Sequence, residues 1–574
     1  MKHRKRILSA LLAAAMVMTV VTGCGGKKEE AATSPEIEAA EKGDEFDWLD
    51  TSGNLPMVAE GTEKTLRIYT YMQPDAGKLD DLFFYNYVQD KMNINLEITS
   101  FSAENREEFL SLAFASDDLP DIIIEGNLTS SDLSYYGASE GQILDLAPYM
   151  NEEFMPNLTK IYETYPEYKT SIQDAEGHIW STGYVTNPEN GAARAFINYD
   201  WLEKCGLEVP TTLDDFVDML YAFKDLDESD YPLGGTYAYK PPTNYLLNAF
   251  GYNTEDYYGT VMALRNGKPV LPVADREAYG DFLKLMNQLY TDGILHPDYF
   301  TLDKAGAKAV YANAGYGFLS EASFLYVKDF QPYWGALPLT SEWNDTAFWP
   351  NGYKTSLSAG KAVVTSACEE PELAAAFLDW LYTPEHFDLS TAGPTTEMTD
   401  LLTDNIKGYK MENGAKVYLS YEENKDAYAS ENDYLYKNVQ IWDCGVIGSD
   451  LPVEALTGPV LKEGEPNVND YEDINVLRKE ITSGQLHWNK GLQSTVCKYM
   501  ISEGFPTNVY IDPDDATYYD NLLTVINEYA TQESAKFITG ARSLDELDAY
   551  FDEIERLGAL EYVEFFTEYY NSIQ

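Results

Sequence analysis

The sequence predicts an α/β protein made of two lobes. A chain of 574 residues is long enough to bury more than one large hydrophobic core. Short apolar or alternating segments are separated by segments with helical spacing along the first part of the chain. This order is typical of a parallel sheet with right-handed crossovers. A second strand–helix series begins at Ala195, and by pattern alone it could belong to any α/β protein.

The N-terminus has the pattern of a secretory signal. A basic stretch, Lys2 to Arg6, precedes a continuous apolar stretch, Ile7 to Val21, that is shorter than a membrane span. Val21-Thr22-Gly23-Cys24 then resembles a lipobox, which predicts removal of residues 1–23 and lipidation of Cys24. The alternative is a plain signal peptide with an incidental cysteine. Residues 24–60 have the composition of a disordered acidic tether.

The first lobe is predicted to begin with three strands and two helices. The strands are Thr65–Tyr69, the alternation at Ile94, Leu96 and Ile98, and Asp121–Ile124. The helices are the apolar stripe from Leu79 to Val88 and the segment Arg106–Ala115.

Parallel sheets bind ligands beyond the carboxyl ends of their strands. Two loops of this lobe follow predicted strand ends, at Gln73 and Asp75 and at Glu125 and Asn127. We therefore expect these four side chains at the mouth of the lobe. Turn formation and helix capping are equally good explanations for each residue taken singly.

The series that begins at Ala195 is predicted to open with a strand and two helices. Ala195–Asn198 is the strand, and Tyr199–Lys204 is a helical turn that ends at Gly206. Thr212 is placed to cap the next helix, with Asp215 three residues on as a capping-box acid. One face of that helix is apolar and is predicted to be buried. It consists of Leu213, Phe216, Val217, Leu220, Tyr221 and Phe223.

The order of amino acids from Asn198 to Phe216 resembles that of a known protein family. The run from Asn198 through Trp201, Cys205 and Gly206 to Phe216 resembles family 1 extracellular solute-binding proteins of bacterial ABC importers, of the large glycan-associated lipoprotein type. Lys536 to Gly540 is similar to the Phe-Ile-Thr-Gly of the same family. The resemblance implies a periplasmic-binding-protein-like fold, in which two α/β lobes joined by a multi-crossing hinge close on a ligand in the cleft between them.

The resemblance also implies where ligand contacts lie. Candidates near the first crossing are the aromatic rings of Trp180 and Tyr184 and the guanidinium of Arg194, for which a surface salt bridge is the alternative. Candidates from the second lobe and from later aromatic-rich turns are Glu321, Phe324, Trp334, Trp349, Tyr353, Trp442 and Trp488. The implied order is lobe 1 at 61–187, lobe 2 at 188–340, a return to lobe 1 at 341–398, and lobe 2 with C-terminal helices at 399–574.

Composition narrows the possible partners. A net charge of -55 repels nucleic acid and anionic membrane surfaces. The 45 tyrosines and 9 tryptophans fit a carbohydrate binder, because sugar faces stack on aromatic rings. The five cysteines and five histidines show no metal or redox spacing, so no cofactor is predicted. Pairing of the four later cysteines stays open, as does a calcium ion near Asp225–Asp230, whose loop lacks the usual glycine.

The predicted function is that of a lipid-anchored, monomeric receptor on the outer face of a cell membrane, in a Gram-positive bacterium. It would capture a carbohydrate, an oligosaccharide by the resemblance, through lobe closure and deliver it to ABC permease subunits without making or breaking a bond. Three alternatives remain: a glycan-binding sensor or adhesin, a receptor for a peptide or other non-sugar solute, and a secreted glycoside hydrolase. No Gly-x-Ser-x-Gly or metal motif supports hydrolysis.

Overall fold

The structure is a computed structural model. It describes residues 39–72, 83–164, 166–184, 195–320, 327–350, 358–386, 389, 393–399, 402, 407–412, 415–427, 474–481, 487, 490–491, 495, 499–501, 504–506 and 508–573.

Lobe 1 is built on a five-stranded sheet of order β2-β1-β3-β13-β4. Strands β1, β2 and β3 run parallel, as predicted, and the apolar run Ile122–Ile124 is buried at the centre of the sheet. The strand β13 comes from much later in the chain and lies antiparallel between β3 and β4. The strands are β1 Thr65–Tyr71, β2 Asn95–Phe101, β3 Ile122–Ile124, β4 Thr182–Tyr184 and β13 Ser358–Val364.

The helices of lobe 1 cover this sheet. Asp379 lies buried in the core, and its carboxylate accepts hydrogen bonds from the backbone N–H groups of Asn157 and Leu158, at the first turn of helix α4. These bonds satisfy helix N–H groups that have no partner within the helix. The helices are α1 Phe83–Met92, α2 Arg106–Ser116, α3 Ser130–Leu133 with a π-helical turn at Ser134–Ser139, a 3-10 turn at Ala147–Tyr149, α4 Pro156–Thr164, α5 Pro166–Ile172 and, after the return, α11 Pro371–Trp380.

Lobe 2 is built on a four-stranded sheet of order β11-β5-β10-β6. Strand β5 is antiparallel to both neighbours, and all four of its residues are buried. Trp349 still belongs to the core of this lobe, and the lobe 1 sheet resumes at Ser358. The predicted return at 341 is therefore earlier than the point where the chain leaves this core. The strands are β5 Ala195–Asn198, β6 Tyr231–Leu233, β10 Tyr316–Ser320, β11 Tyr333–Gly335 and β12 Trp349–Pro350.

The first helices of lobe 2 begin and end where the sequence predicts. Asn198 Oδ1 accepts a hydrogen bond from Trp201 N–H, and Gly206 ends that helix with a φ of 67°. Thr212 Oγ1 accepts from Asp215 N–H at 3.1 Å, which confirms the cap. The helices are α6 Tyr199–Cys205, α7 Leu213–Lys224, α8 Thr243–Ala249, α9 Ala278–Thr291 and α10 Lys304–Tyr311. Between α8 and α9 in the chain, a small antiparallel sheet is formed by β7 Tyr252–Asn253, β8 Ala263–Arg265 and β9 Lys268–Val270.

The C-terminal helices pack on lobe 2. Tyr519, Ile526 and Ala530, on one face of the helix Pro513–Ile538, are buried in the core of this lobe. Gly558 has a φ of 109° between the last two helices. The C-terminal helices are α14 Pro513–Ile538, α15 Leu547–Arg556 and α16 Ala559–Ser572. The remaining helices and strands are the hairpin β14 Tyr409–Glu412 and β15 Ala415–Tyr418, α12 Leu419–Asn424, α13 Ile474–Glu480 and β16 Met500–Ile501. Short 3-10 turns lie at Asp44–Phe46, Pro272–Ala274, Lys425–Ala427 and Leu544–Glu546.

Two general features of the described residues bear on the sequence predictions. Cys205 and Cys368 carry free thiols. Among the helices that the structure describes, none combines the length and apolar character needed to cross a bilayer.

A buried histidine makes lobe 1 sensitive to acid. The ring of His386 lies 5.5 Å from that of Phe84 and 5.3 Å from that of Trp380, and burial lowers its pKa to about 3. Below its ordinary pKa of about 6.5 the unfolded chain binds a proton at this histidine and the folded chain does not. The free energy of unfolding therefore falls as the pH drops below 6.5, by about 2 kcal/mol at pH 5 from this group.

We expect His386→Phe to remove that loss. Urea unfolding of wild type and variant at pH 7 and pH 5 measures it. The variant should lose about 2 kcal/mol less between the two pH values than the wild type does. Burial raises the pKa of Asp379 to about 6, which gives the opposite pH dependence, but both proteins keep that group. Parallel pH dependences of wild type and variant would contradict the assignment.

Candidate functional site

A connection between the two lobes runs from one end of the strands in the lobe 1 sheet to one end of the strands in the lobe 2 sheet. We call each of these strand ends the cleft edge of its sheet. In lobe 1, the carboxyl ends of β1, β3 and β4 and the start of β13 lie at one edge, because β13 is antiparallel to β3 and β4. The chain leaves this edge after Tyr184 and returns to it at Ser358, its partner in the sheet register. In lobe 2 the chain enters at Ala195, opposite Ser320 at the end of β10. These two sheet edges define the candidate cleft.

An ion pair lies at the lobe 1 edge of this cleft. Lys361 Nζ is 3.2 Å from Glu125 Oε2, and the two side chains are 21% and 16% exposed. The pair is therefore recessed but still reached by solvent. A carboxylate accepts hydrogen bonds and an ammonium donates them, so together they can bind both the hydrogens and the oxygens of hydroxyl groups.

The backbone at this edge holds an unusual conformation. Glu125 and Asn127 have φ values of 55° and 50°, in the left-handed region that non-glycine residues rarely adopt. Leu128 N–H donates to Gly360 O, and a Cβ on Gly360 would lie 1.9 Å from Leu128 O. Only glycine permits this close approach between the Glu125 loop and β13. Backbone strain of this kind is concentrated at functional sites, which supports a binding role for the loop.

The structure brings three of the predicted ligand residues together at this edge. Glu125 and Asn127 follow β3, and Tyr184 ends β4, which is separated from β3 by one strand. The side chains of all three are partly exposed. Lys361 was not predicted from the sequence. Its local indication is a single lysine inside the otherwise small and apolar strand Ser358–Val364.

Three predicted aromatic contacts are core residues in the structure. Trp180 is buried against Gly137, whose added Cβ would lie 2.6 Å from the ring, and its Nε1–H donates to Asp174 Oδ2. Trp334 and Trp349 are fully buried in the core of lobe 2. In this structure none of these rings offers a face to a ligand.

The other predicted site residues lie outside the described residues. They are Cys24, Gln73, Asp75, Arg194, Glu321, Phe324, Tyr353, Trp442 and Trp488.

Asp174, Glu176 and His178 form a cluster with the spacing of a metal site. One ligand atom from each lies within 4.8 Å of the others. However, the Asp174 carboxylate already accepts from the N–H groups of Glu176 and His178 through Oδ1. Its Oδ2 lies 3.0 Å from His178 Nδ1 and accepts from Trp180 Nε1–H. These contacts use the lone pairs of the Asp174 carboxylate. The cluster therefore stabilises the turn between Asp174 and His178.

The acidic loop near Asp225–Asp230 forms no comparable cluster among the described residues. Glu228 pairs with Lys204, and Asp230 Oδ2 accepts a hydrogen bond from Gly315 N–H.

The described geometry defines a two-lobed α/β binding protein of the periplasmic-binding-protein type. Residues 69–386, more than half of the chain, match the family of bacterial extracellular solute-binding proteins, and the chain belongs to that family. The resemblance stated from the sequence is confirmed.

Individual relatives extend the similarity over the whole chain. The fructooligosaccharide ABC transporter substrate-binding protein FusA of Streptococcus pneumoniae serotype 4 (strain ATCC BAA-334 / TIGR4) is 22% identical over 603 residues, which covers 100% of this chain and 99% of FusA. Lipoprotein LipO of Bacillus subtilis (strain 168) is 23% identical over 43% of this chain and 48% of its own length. A solved extracellular solute-binding protein from Bifidobacterium longum subsp. infantis has a TM-score of 0.68 at 17% identity, with 90% of this chain and 99% of that chain covered. The fold prediction is thereby confirmed.

Proposed function

We propose that this chain is the substrate-binding component of an ABC importer for an oligosaccharide. The observation that carries the proposal is the match to FusA over both full lengths, since FusA is named for fructooligosaccharide transport. The relation, 22% identity over both full lengths, supports the class of ligand. The ligand would be bound between the lobes and released unchanged to permease subunits.

The cleft edge supports this role chemically. Glu125 and Lys361 supply acceptors and donors for sugar hydroxyls, and Tyr184 supplies an aromatic ring at the same edge. We propose that these three residues, with Asn127, contact the ligand. The chain leaves lobe 1 after Tyr184 and re-enters it at Ser358 at this edge, so lobe closure would bring lobe 2 over the bound sugar.

We also propose that the chain works at the outer face of a cell membrane of a Gram-positive bacterium. Support comes from its extracellular family and from the partial match to a lipoprotein. Removal of residues 1–23 and lipidation of Cys24 would anchor it, and residues 24–60 would act as the tether. Mass spectrometry of the membrane fraction would test the anchor. An unmodified Cys24 in the mature protein would contradict it.

The ligand class is tested by a thermal-shift screen of residues 25–574 against neutral and acidic oligosaccharides. A ligand at one hundred times its Kd should stabilise the protein by about 2.7 kcal/mol. The bound glycan should be recovered intact. Recovery of a cleaved glycan would support a hydrolase instead, and stabilisation by peptides alone would contradict the carbohydrate proposal.

We expect the cleft ion pair to contribute strongly to binding. Glu125→Gln removes a charged acceptor, and a hydrogen bond to a charged group contributes about 1.5–3 kcal/mol, so Kd should rise by a factor of about 10 or more. Glu97→Gln is the matched control, because Glu97 is exposed on β2 of the same sheet. Calorimetric titration of both variants measures the difference. Equal affinities would exclude Glu125 from the binding site.

A further inference from the structure

Residues 39–60, which composition predicts to be part of a disordered tether, are folded against lobe 1. Leu49, Met57 and Val58 are buried in the hydrophobic core of this lobe. The segment closes into a loop, in which Leu49 and Val58 form an antiparallel bridge. We call residues 39–60 the strap.

Backbone hydrogen bonds hold the strap to lobe 1 at both of its ends. Near its start, Ala40 N–H donates to Pro148 O at 2.8 Å. Near its end, Val58 N–H donates to Met92 O at 3.0 Å, and Asn93 Nδ2 donates to Val58 O at 3.1 Å. The part of the chain that can act as a tether therefore ends where the strap begins.

The strap joins lobe 1 at the sheet edge opposite the cleft edge. Strands β1 and β2 run parallel from the register pair Thr65 and Asn95. The strap leads into the start of β1, and its partner Met92 lies just before the start of β2. The cleft edge lies at the other end of β1, after seven residues. At about 3.3 Å per residue, the two edges are about 23 Å apart.

The chain between Cys24 and the strap is short. It consists of residues 25–38, fourteen in number, which span about 50 Å at most when fully extended. A chain of this length without fixed structure has a root-mean-square span of about 20 Å. A tether shorter on average than the lobe keeps the edge to which it is attached nearest to the anchor.

We propose that the strap anchors the protein through lobe 1, with the strap edge turned toward the membrane and the cleft edge turned away from it. The proposal rests on the lipidation of Cys24 in the proposed function, and it adds which lobe is held and how that lobe is oriented. The strap contacts described above all lie in lobe 1, so lobe 2 is the lobe that swings when the cleft opens and closes. Delivery to a permease would then require the tether to extend past the width of lobe 1.

Limited trypsin digestion of residues 25–574 tests whether the strap is docked. Cleavage after Lys28, in the tether, should be about tenfold or more faster than cleavage after Lys42, in the strap. Leu49→Asp combined with Val58→Asp places two charges in the core, which should undock the strap and remove this difference. Ala59→Asp is the matched control, because Ala59 is exposed beside Val58 and its substitution should preserve the difference. Equal cleavage rates at the two lysines of the wild type would overturn the proposal.

Energy transfer from a protein label to acceptor lipids tests the orientation. The lipidated chain is reconstituted in liposomes with its four later cysteines replaced by serine, and it is labelled at Ser116→Cys or Ala103→Cys. Both side chains are exposed, and they lie at the two ends of helix α2, Ser116 toward the strap edge and Ala103 toward the cleft edge. Transfer from Ser116→Cys should be about twofold or more greater than transfer from Ala103→Cys. Equal transfer from the two labels would overturn the orientation.

Lengthening the tether provides a second variant that leaves the strap intact. An insertion of about 20 Gly and Ser residues between residues 38 and 39 raises the root-mean-square span to about 30 Å. This insertion should bring the transfer values of the two labels closer together, and the charged double variant should do the same if it folds, which its melting curve shows. A difference between the labels that is unchanged by the insertion would mean that the tether does not orient lobe 1.

These outcomes are distinguishable from failure of the proposed function. If no oligosaccharide binds, the carbohydrate proposal fails, while digestion and energy transfer still report on the strap. An unmodified Cys24 would overturn the anchor and the orientation together, and protection of Lys42 would then show only that residues 39–60 belong to lobe 1.

Discussion

Asp200→Asn is expected to destabilise lobe 2 by about 3 kcal/mol, because it leaves a buried guanidinium without its carboxylate. The Arg478 side chain is 1% exposed, and its Nη2 lies 2.7 Å from Asp200 Oδ1. Arg478 Nη1 also donates to Gln331 O, and Nη2 donates to Asn475 Oδ1 as well. Asp200 remains 43% exposed, which places the expected loss at the low end of the range for a buried pair.

A double-mutant cycle tests the pair. Arg478→Met removes the charge and keeps much of the side-chain volume, so the double variant should be more stable than Asp200→Asn alone. Asp214→Asn is the control, since Asp214 is an exposed acid in the first turn of the neighbouring helix. Urea unfolding of the four proteins gives the coupling free energy. Additive effects of the two substitutions would mean that the ion pair does not stabilise lobe 2.

Trp349→Ala is expected to cost about 3–5 kcal/mol of stability, as for other fully buried aromatic side chains. The Trp349 ring lies 5.5 Å from that of Tyr245, and its Nε1–H donates to Thr495 O. Trp349→Phe keeps most of the ring and loses the hydrogen bond, so it should cost about 1–3 kcal/mol.

The same variants test whether Trp349 contacts the ligand. Because the ring is fully buried in the core, the folded Trp349→Phe protein should bind the oligosaccharide with a Kd within about threefold of wild type. Differential scanning calorimetry measures the stability and calorimetric titration the affinity. A Kd raised more than tenfold with little loss of stability would restore Trp349 as a ligand contact.

Local patterns were sufficient to predict much of the fold. The strand Ala195–Asn198 and the helix capped by Thr212 depend on residues within a few positions of each other, and both are present. The parallel arrangement of the first three strands also followed from their spacing. The position of β13 did not, because its insertion between β3 and β4 depends on contacts far apart in the chain.

The candidate site was harder to predict for the same reason. Glu125 was selected as the residue after a strand, but its partner Lys361 lies 236 positions later. The burial of Trp180 depends on the absence of a side chain at Gly137, which lies in the π-helical turn Ser134–Ser139. An aromatic-rich turn such as the one at Trp349 has similar composition whether its rings enter a core or line a cleft.

The inserted strand β13 has a consequence for biogenesis. The edge strand β4 has no neighbour in the lobe 1 sheet until β13 lies between it and β3. During synthesis and export, the chain must therefore emerge beyond Val364 before that sheet can be completed. Lobe 1 begins the chain but cannot complete its sheet until most of lobe 2 has been synthesised, and a product truncated within lobe 2 would expose an incomplete lobe 1 sheet to proteases.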